Sequence, residues 1–254
     1  MKEKIEMKRK IVKKIIAGVS VCTCIMGVVA PQTIEARELY RVNGQINQVS
    51  QNNNDLLYYN SSSRYGIMID EIVAEIKTLS KNMSEIRVEQ NVNKIIAEKY
   101  SDTGLENYIT KRLNEEEKKL YKKNRAKALL CMSEGVLAIK TAERNYETYV
   151  LYNGNGDAFR HTIWCFGMVY DVGETFAKKW SDAHENGDKV QPSIVKNMDI
   201  YNNKIGLKLG KDYPNIKTPA GMIKKAKVQV SNGKCRRIVA DALVKTNKEG
   251  LKDK

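Results

Sequence analysis

The chain has 254 residues, of which 44 are lysine or arginine, 30 are aspartate or glutamate and two are histidine, giving a formal net charge of +14. Its five cysteines exclude two classes of protein: they contain no CxxC pair typical of zinc knuckles, and those after residue 36 are too few and too widely spaced for a disulfide framework. The basic balance predicts attraction to anionic surfaces such as wall polymers, acidic lipid or nucleic acid, although the sequence contains no motif dedicated to nucleic acid.

Residues 1–36 are predicted to be a cleaved secretory signal peptide. A basic segment leads into an apolar stretch at residues 15–30, and Ala36 supplies the small residue expected before the cleavage site. The apolar stretch is shorter than the roughly 20 residues that a membrane-spanning helix needs, which favours cleavage over an uncleaved anchor. Removing its 7 basic and 3 acidic residues lowers the formal charge from +14 to +10. We therefore expect a secreted, extracellular protein that contacts membrane only through the signal peptide and whose charge favours association with the cell wall.

An N-terminal region separates the signal peptide from the main domain. Residues 37–65 are poor in aliphatic side chains and rich in Asn, Gln and Ser, which predicts a flexible spacer. Residues 66–114 carry two amphipathic segments, at 67–79 and 83–100, and a shorter apolar pattern at 105–113. The 3/4 spacing of their apolar residues predicts N-terminal helices.

The main domain is predicted to span residues 115–250 and to consist of helices. The longest helical pattern covers residues 115 to about 149, with Gly135 as a candidate break, and the glycine-rich residues 153–156 end it. Five further helices are predicted, at residues 157–171, 173–186, 192–209, 220–230 and, as the closing helix, 236–246. Residues 227–230 are the only candidate strand. The predicted fold class is therefore all-α, a single helical domain that follows the signal peptide and the spacer.

Three consecutive predicted helices carry polar side chains at spacings that share one helix face. Asp157 and His161 are four residues apart, Asp182 and Glu185 are three apart with His184 adjacent, and Asp199 and Asn203 are four apart with Asn202 alongside. These are the only two histidines in the chain, and each has an acid close to it. If the three helices pack around a common cleft, the imidazoles and carboxylates meet there, as they do in helical bundles that hold metals.

This polar set predicts a site for catalysis, with or without a metal. The tentative metal ligands are Asp157, His161, His184 and Asp199, and zinc, manganese and calcium are all candidates because the donors mix nitrogen and oxygen. The predicted catalytic residues are His161, His184 and Glu185. In a metal-free site, either histidine acts as a general base beside a neighbouring carboxylate.

Four further residues are assigned to substrate binding: Arg160, Asn202, Asn203 and Trp164. The planar guanidinium of Arg160 suits phosphate or carboxylate groups. The apolar neighbours of Trp164 in the sequence favour a position in the core over a surface that holds a ligand. The alternative for the whole set is a buried ion-pair network, in which Arg160 and the acids fix how the helices dock and catalyse nothing.

These residues resemble an uncharacterised family of secreted or wall-associated bacterial domains, a domain of unknown function. The three motifs read DAFRHxxW from Asp157, DAHE from Asp182 and MDxxNNxxG from Met198. The resemblance covers roughly residues 115–212 and departs at Cys165, where similar proteins usually have Asn after the Trp. It implies an α-helical extracellular domain with clustered polar residues. The family has no established reaction, so no catalytic role carries over from it.

Three functional hypotheses follow from the sequence. The leading one is a secreted hydrolase, with a divalent metal as one option, that acts on an anionic envelope component: a phospholipid, a phosphodiester or a wall polymer. The second is a non-catalytic cationic module that binds the cell wall or a partner protein and uses the polar set as a scaffold. The third is a toxin or effector domain. The sequence favours the first because both histidines coincide with acids on matching helix faces.

Overall fold

The computed structural model describes residues 58–187 and 189–252, so the predicted signal peptide and most of the predicted spacer lie outside the described residues. The described part is all-α, as predicted, apart from one two-stranded hairpin. Its helices are α1 (Arg64–Leu79), α2 (Glu85–Lys99), α3 (Leu105–Thr110), α4 (Glu115–Lys123), α5 (Arg125–Asn145), α6 (Asn155–Val172), α7 (Glu174–Gly187), α8 (Ser193–Asp212) and α9 (Pro219–Ser231). The hairpin consists of β1 (Arg236–Val239) and β2 (Ala242–Lys245). None of the helices described is long and apolar enough to cross a membrane.

The folded region includes the end of the predicted spacer. Tyr58 and Tyr59 are both buried, and the side chain of Ser63 caps α1 by accepting a hydrogen bond from the Gly66 N–H. A serine at this position satisfies one of the backbone donors that a helix N-terminus leaves without a partner. The last residues of the segment whose composition predicted flexibility are therefore part of the folded region.

The long helix predicted from residue 115 is two helices, α4 and α5. Asn124 ends the first with an extended backbone (φ −156°, ψ 93°), and its side chain accepts a hydrogen bond from the Lys127 N–H at the start of the second. Asparagine favours such caps because its short amide competes with helical hydrogen bonding. Gly135, the predicted break, lies buried inside α5. The break therefore occurs at a polar residue near the start of the pattern.

Helix α6 forms the centre of the domain. Every residue from 155 to 168 is buried, and the helix packs against α5, α7, α8 and α9. Its closest neighbour is α8, because Gly206 and Gly210 allow the two backbones to approach: a Cβ at Gly206 would lie 2.3 Å from the Thr162 carbonyl oxygen. This close approach brings the polar residues of the two helices within hydrogen-bond distance of each other.

One of the two C-terminal helix predictions was wrong. The helix predicted at 220–230 is α9, so residues 227–230, the only candidate strand, are helical, whereas the predicted closing helix at 236–246 is the antiparallel hairpin of β1 and β2. The two turn residues, Ala240 (φ 48°) and Asp241 (φ 59°), both adopt left-handed backbone conformations. Such turns are usually recognised by Asn-Gly or Asp-Gly, and Ala-Asp carries no such signal. The hairpin therefore has no local signature in the sequence.

Candidate functional site

The predicted polar residues of α6, α7 and α8 meet at one cavity. This cavity has a volume of about 260 Å³, and four of the predicted site residues line it: His161, His184, Glu185 and Asp199. The other lining residues are Tyr58, Arg112, Asn114, Glu117, Gly187 and Gln191. The two histidines, which are 23 positions apart in the sequence, therefore face the same space.

A chain of hydrogen bonds fixes the ring of His161. His161 Nδ1 lies 3.1 Å from Asn203 Oδ1, and Asn203 Nδ2 donates to Glu185 Oε1 at 2.8 Å. Because the amide nitrogen of Asn203 faces a carboxylate, its oxygen must face His161, and Nδ1 must carry the proton. The lone pair of the neutral ring is therefore on Nε2. Burial, followed by the positive charge of Arg160, lowers the pKa of His161 well below its usual value, which favours this neutral ring.

Arg160 and Asp157 form a buried ion pair beside this ring. Asp157 Oδ1 accepts hydrogen bonds from Arg160 Nε at 3.1 Å and from Nη2 at 2.6 Å. Nη2 also lies 3.1 Å from His161 Nε2. The other carboxylate oxygen, Oδ2, accepts from the backbone N–H of Asn153 at 2.6 Å, just before α6 begins. Arg160, predicted to bind substrate, is thus engaged with an acid and a histidine.

Asp199 brings a second carboxylate to His161. Its Oδ2 accepts a hydrogen bond from Gln191 Nε2 at 2.8 Å, whereas its Oδ1 lies 3.2 Å from His161 Nε2. Oδ1 is buried and accepts no hydrogen bond from any residue that the structure describes. Burial, then the charges of Asp157 and Glu185, raises the pKa of Asp199 well above its usual value. Burial also raises the pKa of Glu185.

The structure brings together three of the four predicted metal ligands. One oxygen each of Asp157 and Asp199 and one nitrogen of His161 all lie within 4.8 Å of one another, and all three residues are buried. The fourth, His184, lies elsewhere on the cavity wall and is not part of this group. The three-residue set is what a cation would use, because it joins two carboxylates to one imidazole.

His184 belongs to a separate network that the sequence did not reveal. Its Nδ1 lies 2.9 Å from Glu117 Oε1, which also accepts a hydrogen bond from the Tyr58 hydroxyl at 2.7 Å. Trp180 Nε1 in turn donates to the Tyr58 oxygen at 3.1 Å. The second oxygen of Glu117 accepts from the Asn114 N–H as part of a capping box at the start of α4. Glu117 therefore has a capping role and also holds the ring of His184.

Two predicted substrate-binding residues have structural partners. Asn202 binds the start of β1 at two points: it donates to the Arg236 carbonyl and accepts from the Arg236 N–H, both at 2.9 Å. The indole of Trp164 is fully buried and donates to the Cys131 carbonyl oxygen at 3.0 Å. Its ring lies edge-on to both histidines, with centroids 5.2 Å from His184 and 6.4 Å from His161. Neither residue lines the cavity.

Cys165 does not have the environment of a nucleophile. Its thiol donates to Asn203 Oδ1 at 3.4 Å, and burial raises its pKa well above the usual value. Cys131 and Cys235 are likewise buried and free. Cys165 therefore contributes a contact with the Asn203 amide and no reactive thiolate.

Acidic side chains outnumber basic ones among the buried residues of the site. Among the described residues, four carboxylates are buried (Glu117, Asp157, Glu185 and Asp199), and the only buried arginine or lysine is Arg160. Buried carboxylates require a proton, a hydrogen-bond donor or a cation. The site of this basic chain is therefore acidic, which is the charge that attracts a metal ion.

The comparison with known families gives one match. Residues 118–234 match a family described as "Domain of unknown function (DUF6973)". This confirms the resemblance to an uncharacterised domain family, and the matched range contains all three motifs and Glu185, Asp199 and Asn203. No curated protein and no solved structure matches the chain.

Proposed function

We propose that this domain is a metal-assisted hydrolase, secreted from the cell, that acts on an anionic envelope component such as a phospholipid, a phosphodiester or a wall polymer. Asp157, His161 and Asp199 would hold the metal. The observation that carries this proposal is the buried Asp199 Oδ1, which lies 3.2 Å from His161 Nε2 and accepts no hydrogen bond within the described residues. Two electron-rich atoms at this distance repel each other unless a cation or a proton lies between them.

The spacing of the ligand atoms fits a transition-metal ion. His161 Nε2 lies 3.2 Å from Asp199 Oδ1 and 3.6 Å from Asp157 Oδ1. Ligands about 2.1 Å from a tetrahedral zinc are roughly 3.4 Å from each other. The imidazole favours zinc or manganese over calcium, which prefers a shell of oxygens. Such an ion, when bound, acidifies a coordinated water and polarises the bond to be cleaved.

The second histidine would act as the general acid or base. Glu117 Oε1 accepts from His184 Nδ1 at 2.9 Å, and this contact holds the ring and places the lone pair of the neutral form on Nε2. His184 and the three-residue ligand set line or adjoin the same cavity, which allows proton transfer beside the metal. Glu117 is thus a positioning residue for His184.

The charge of the cavity makes the metal necessary for an anionic substrate. Glu117, Glu185 and Asp199 line it, and Arg112 is the only arginine or lysine that does so among the described residues. Without a cation, a phosphate or carboxylate group would be repelled by these carboxylates. The net positive charge of the chain would attract the protein to anionic material. The bound metal would then offset the carboxylates and allow an anionic group of the substrate to enter the cavity.

The test combines metal binding with hydrolysis. Protein freed of metal with a chelator is titrated with Zn²⁺ and Mn²⁺ by calorimetry, then assayed on bis-nitrophenyl phosphate, phosphatidylglycerol vesicles and purified wall polymer. Asp199→Asn is expected to weaken metal binding by at least about tenfold. Glu117→Gln is expected to lower turnover by about 100-fold with little change in metal affinity, because it acts through the base.

Asp182→Asn provides the matched control. Asp182 lies on α7 like His184 and Glu185, but its side chain is about half exposed and pairs with Lys178. This variant is expected to match the wild type in metal binding and turnover. The proposal fails if the wild-type protein binds neither ion at micromolar concentration, or if Asp199→Asn binds and hydrolyses as the wild type does.

A second candidate function is the non-catalytic binding module. It is favoured by the Asp157–Arg160 pair and by Asn203, whose bonds join α6, α7 and α8. In that case Asp199→Asn leaves binding to anionic vesicles or wall polymer unchanged, and added salt weakens that binding because surface attraction is screened. Added metal would then change neither this binding nor its dependence on salt. That result would distinguish the binding module from the metal-assisted hydrolase.

A further inference from the structure

Arg160 contacts two of the three atoms that the proposed metal would use. Nη2 lies 2.6 Å from Asp157 Oδ1 and 3.1 Å from His161 Nε2. Arg160 is also 5% exposed, so its guanidinium lies inside the protein and not at the cavity surface. The Arg160 guanidinium, a cation of the chain itself, therefore already contacts the proposed metal ligands.

We propose that Arg160 is an internal counter-ion that competes with the metal, so that metal binding requires its guanidinium to leave His161 Nε2. This inference rests on the proposed metal site and concerns how that site is regulated. In the metal-free protein Arg160 holds the ligands together; in the metal-loaded protein the metal replaces its contacts to them.

The competition follows from the number of lone pairs. A neutral imidazole has one proton-free nitrogen with a single lone pair in the ring plane. Asn203 fixes the proton on Nδ1, so that lone pair is on Nε2, where Nη2 of Arg160 approaches it at 3.1 Å. A metal needs the same lone pair. His161 can therefore bind the metal or accept from Arg160, but it cannot do both.

Arg160 and the metal would also compete for Asp157. A carboxylate oxygen offers about two lone pairs, and Oδ1 already accepts from both Nε and Nη2 of Arg160. Oδ2 accepts from the Asn153 N–H at 2.6 Å. Of the three ligand atoms, Asp199 Oδ1 is the one that accepts no hydrogen bond within the described residues. Binding of the metal would therefore start from Asp199 and proceed by displacement of Arg160.

The affinity for metal then includes the free energy of breaking the Arg160 contacts. Arg160→Met removes all the donors of this side chain but keeps an unbranched chain that packs in the same space. Calorimetric titration of metal-free protein with Zn²⁺ and with Mn²⁺ is expected to show at least about tenfold tighter binding in this variant than in the wild type, a coupling of ordinary size.

Arg125→Met is the matched control. Arg125 is a partly buried arginine whose ion pair with Glu106, 3.2 Å long, lies at the start of α5 and away from the site. Its loss is expected to leave metal affinity unchanged. If wild type binds metal and Arg160→Met binds equally or more weakly, Arg160 supports the ligands and the inference is overturned while the metal site stands. If neither protein binds metal, the proposed metal site fails as well.

A second measurement avoids the risk that Arg160→Met does not fold. In the ¹⁵N-labelled wild type, the Nε–H resonance of Arg160 reports its hydrogen bond to Asp157. Addition of Zn²⁺ is expected to shift this resonance and to increase its exchange with solvent, while the Arg125 resonance stays in place. An unchanged Arg160 resonance in zinc-saturated protein would overturn the inference.

Discussion

Asn203 is the residue whose side-chain amide fixes which nitrogen of His161 is protonated and how Glu185 is oriented. It accepts from His161 Nδ1 on one side and donates to Glu185 Oε1 on the other, and it is itself buried. Its two ends cannot be exchanged without placing an amide oxygen against a carboxylate. One side chain from α8 therefore fixes the protonated nitrogen of a histidine on α6 and orients an acid on α7.

Asn203→Ala is expected to destabilise the protein because it leaves three buried groups, on His161, Glu185 and Cys165, without the Asn203 amide as their partner. The free energy of unfolding in urea should fall by about 1–3 kcal/mol, the usual cost of such groups. Asn186→Ala, at an exposed position on α7, is the control and should change it by less than about 0.5 kcal/mol. Equal stability of the two variants would mean that water replaces Asn203 without loss.

At this scale the sequence predicted the histidines and acids but not all of their partners. His161, His184, Glu185 and Asp199 were found because each motif places polar residues on one helix face, and that information is local. Glu117 was missed because its partner His184 lies 67 positions later. Its only signal was an Asn-x-x-Glu capping box, which predicts the start of a helix and no contact with a histidine.

At the scale of elements, the site depends on how closely α6 and α8 approach. A Cβ at Gly206 would lie 2.3 Å from the Thr162 carbonyl oxygen and 2.7 Å from Cys165 Cβ. Backbone atoms cannot move aside without separating the helices. Because Asn203 and Asp199 reach His161 across this interface, the separation would also lengthen their contacts with His161.

Gly206→Ala is therefore expected to reduce both stability and metal affinity. Overpacking of this kind costs about 1–3 kcal/mol, measured here by thermal unfolding, and the calorimetric affinity for Zn²⁺ should fall with it. Lys204→Ala, at an exposed position on α8, serves as control. If Gly206→Ala keeps the stability of the control, α6 and α8 can separate at no cost, contrary to the packing described.

The elements were predictable where their ends carry local signals. Gly173 and Pro192 mark the boundaries of α6, α7 and α8, and the predicted helices differ from the observed ones by only a few residues at either end. The hairpin was not predictable, because its sequence contains the helix-favouring residues Ala, Leu, Lys and Arg. Distant contacts hold it: Asn202 binds the start of β1, and the Asn153 carbonyl accepts from the Ile238 N–H at 2.8 Å.

At the scale of the whole molecule, charge is divided between the surface and the interior. The chain carries a formal charge of +14, yet its described buried residues include four carboxylates and a single guanidinium. A net charge read from composition therefore describes how the protein meets other molecules and says little about its site. Outside the site, Glu134 and Asp171 form a further acidic group around Lys77.

Glu134 should make the stability of the protein depend on pH. Its carboxyl group lies against α6, where a Cβ at Gly167 would be 2.1 Å from Oε2. One ammonium, Lys77 Nζ, serves both acids, at 3.0 Å from Asp171 and 3.5 Å from Glu134. Burial, then the charge of Asp171, raises the pKa of Glu134 from 4.5 to about 8. The folded protein therefore binds a proton here that the unfolded chain has released.

The direction of the effect follows from this raised pKa. The stabilisation is complete below pH 4.5, where both states are protonated, and is lost as the pH rises towards about 8. One group contributes at most about 1.4 kcal/mol per pH unit to this decline.

Urea unfolding between pH 4.5 and about 8, in the presence of a chelator, should show a smaller decline in the free energy of unfolding for Glu134→Gln than for the wild type. Some decline should persist in Glu134→Gln because Asp199 and Glu185 also have raised pKa values. Glu143→Gln, exposed on the same helix, should behave as wild type, and a Glu134→Gln protein with the wild-type slope would show that Glu134 is ionised in the folded protein.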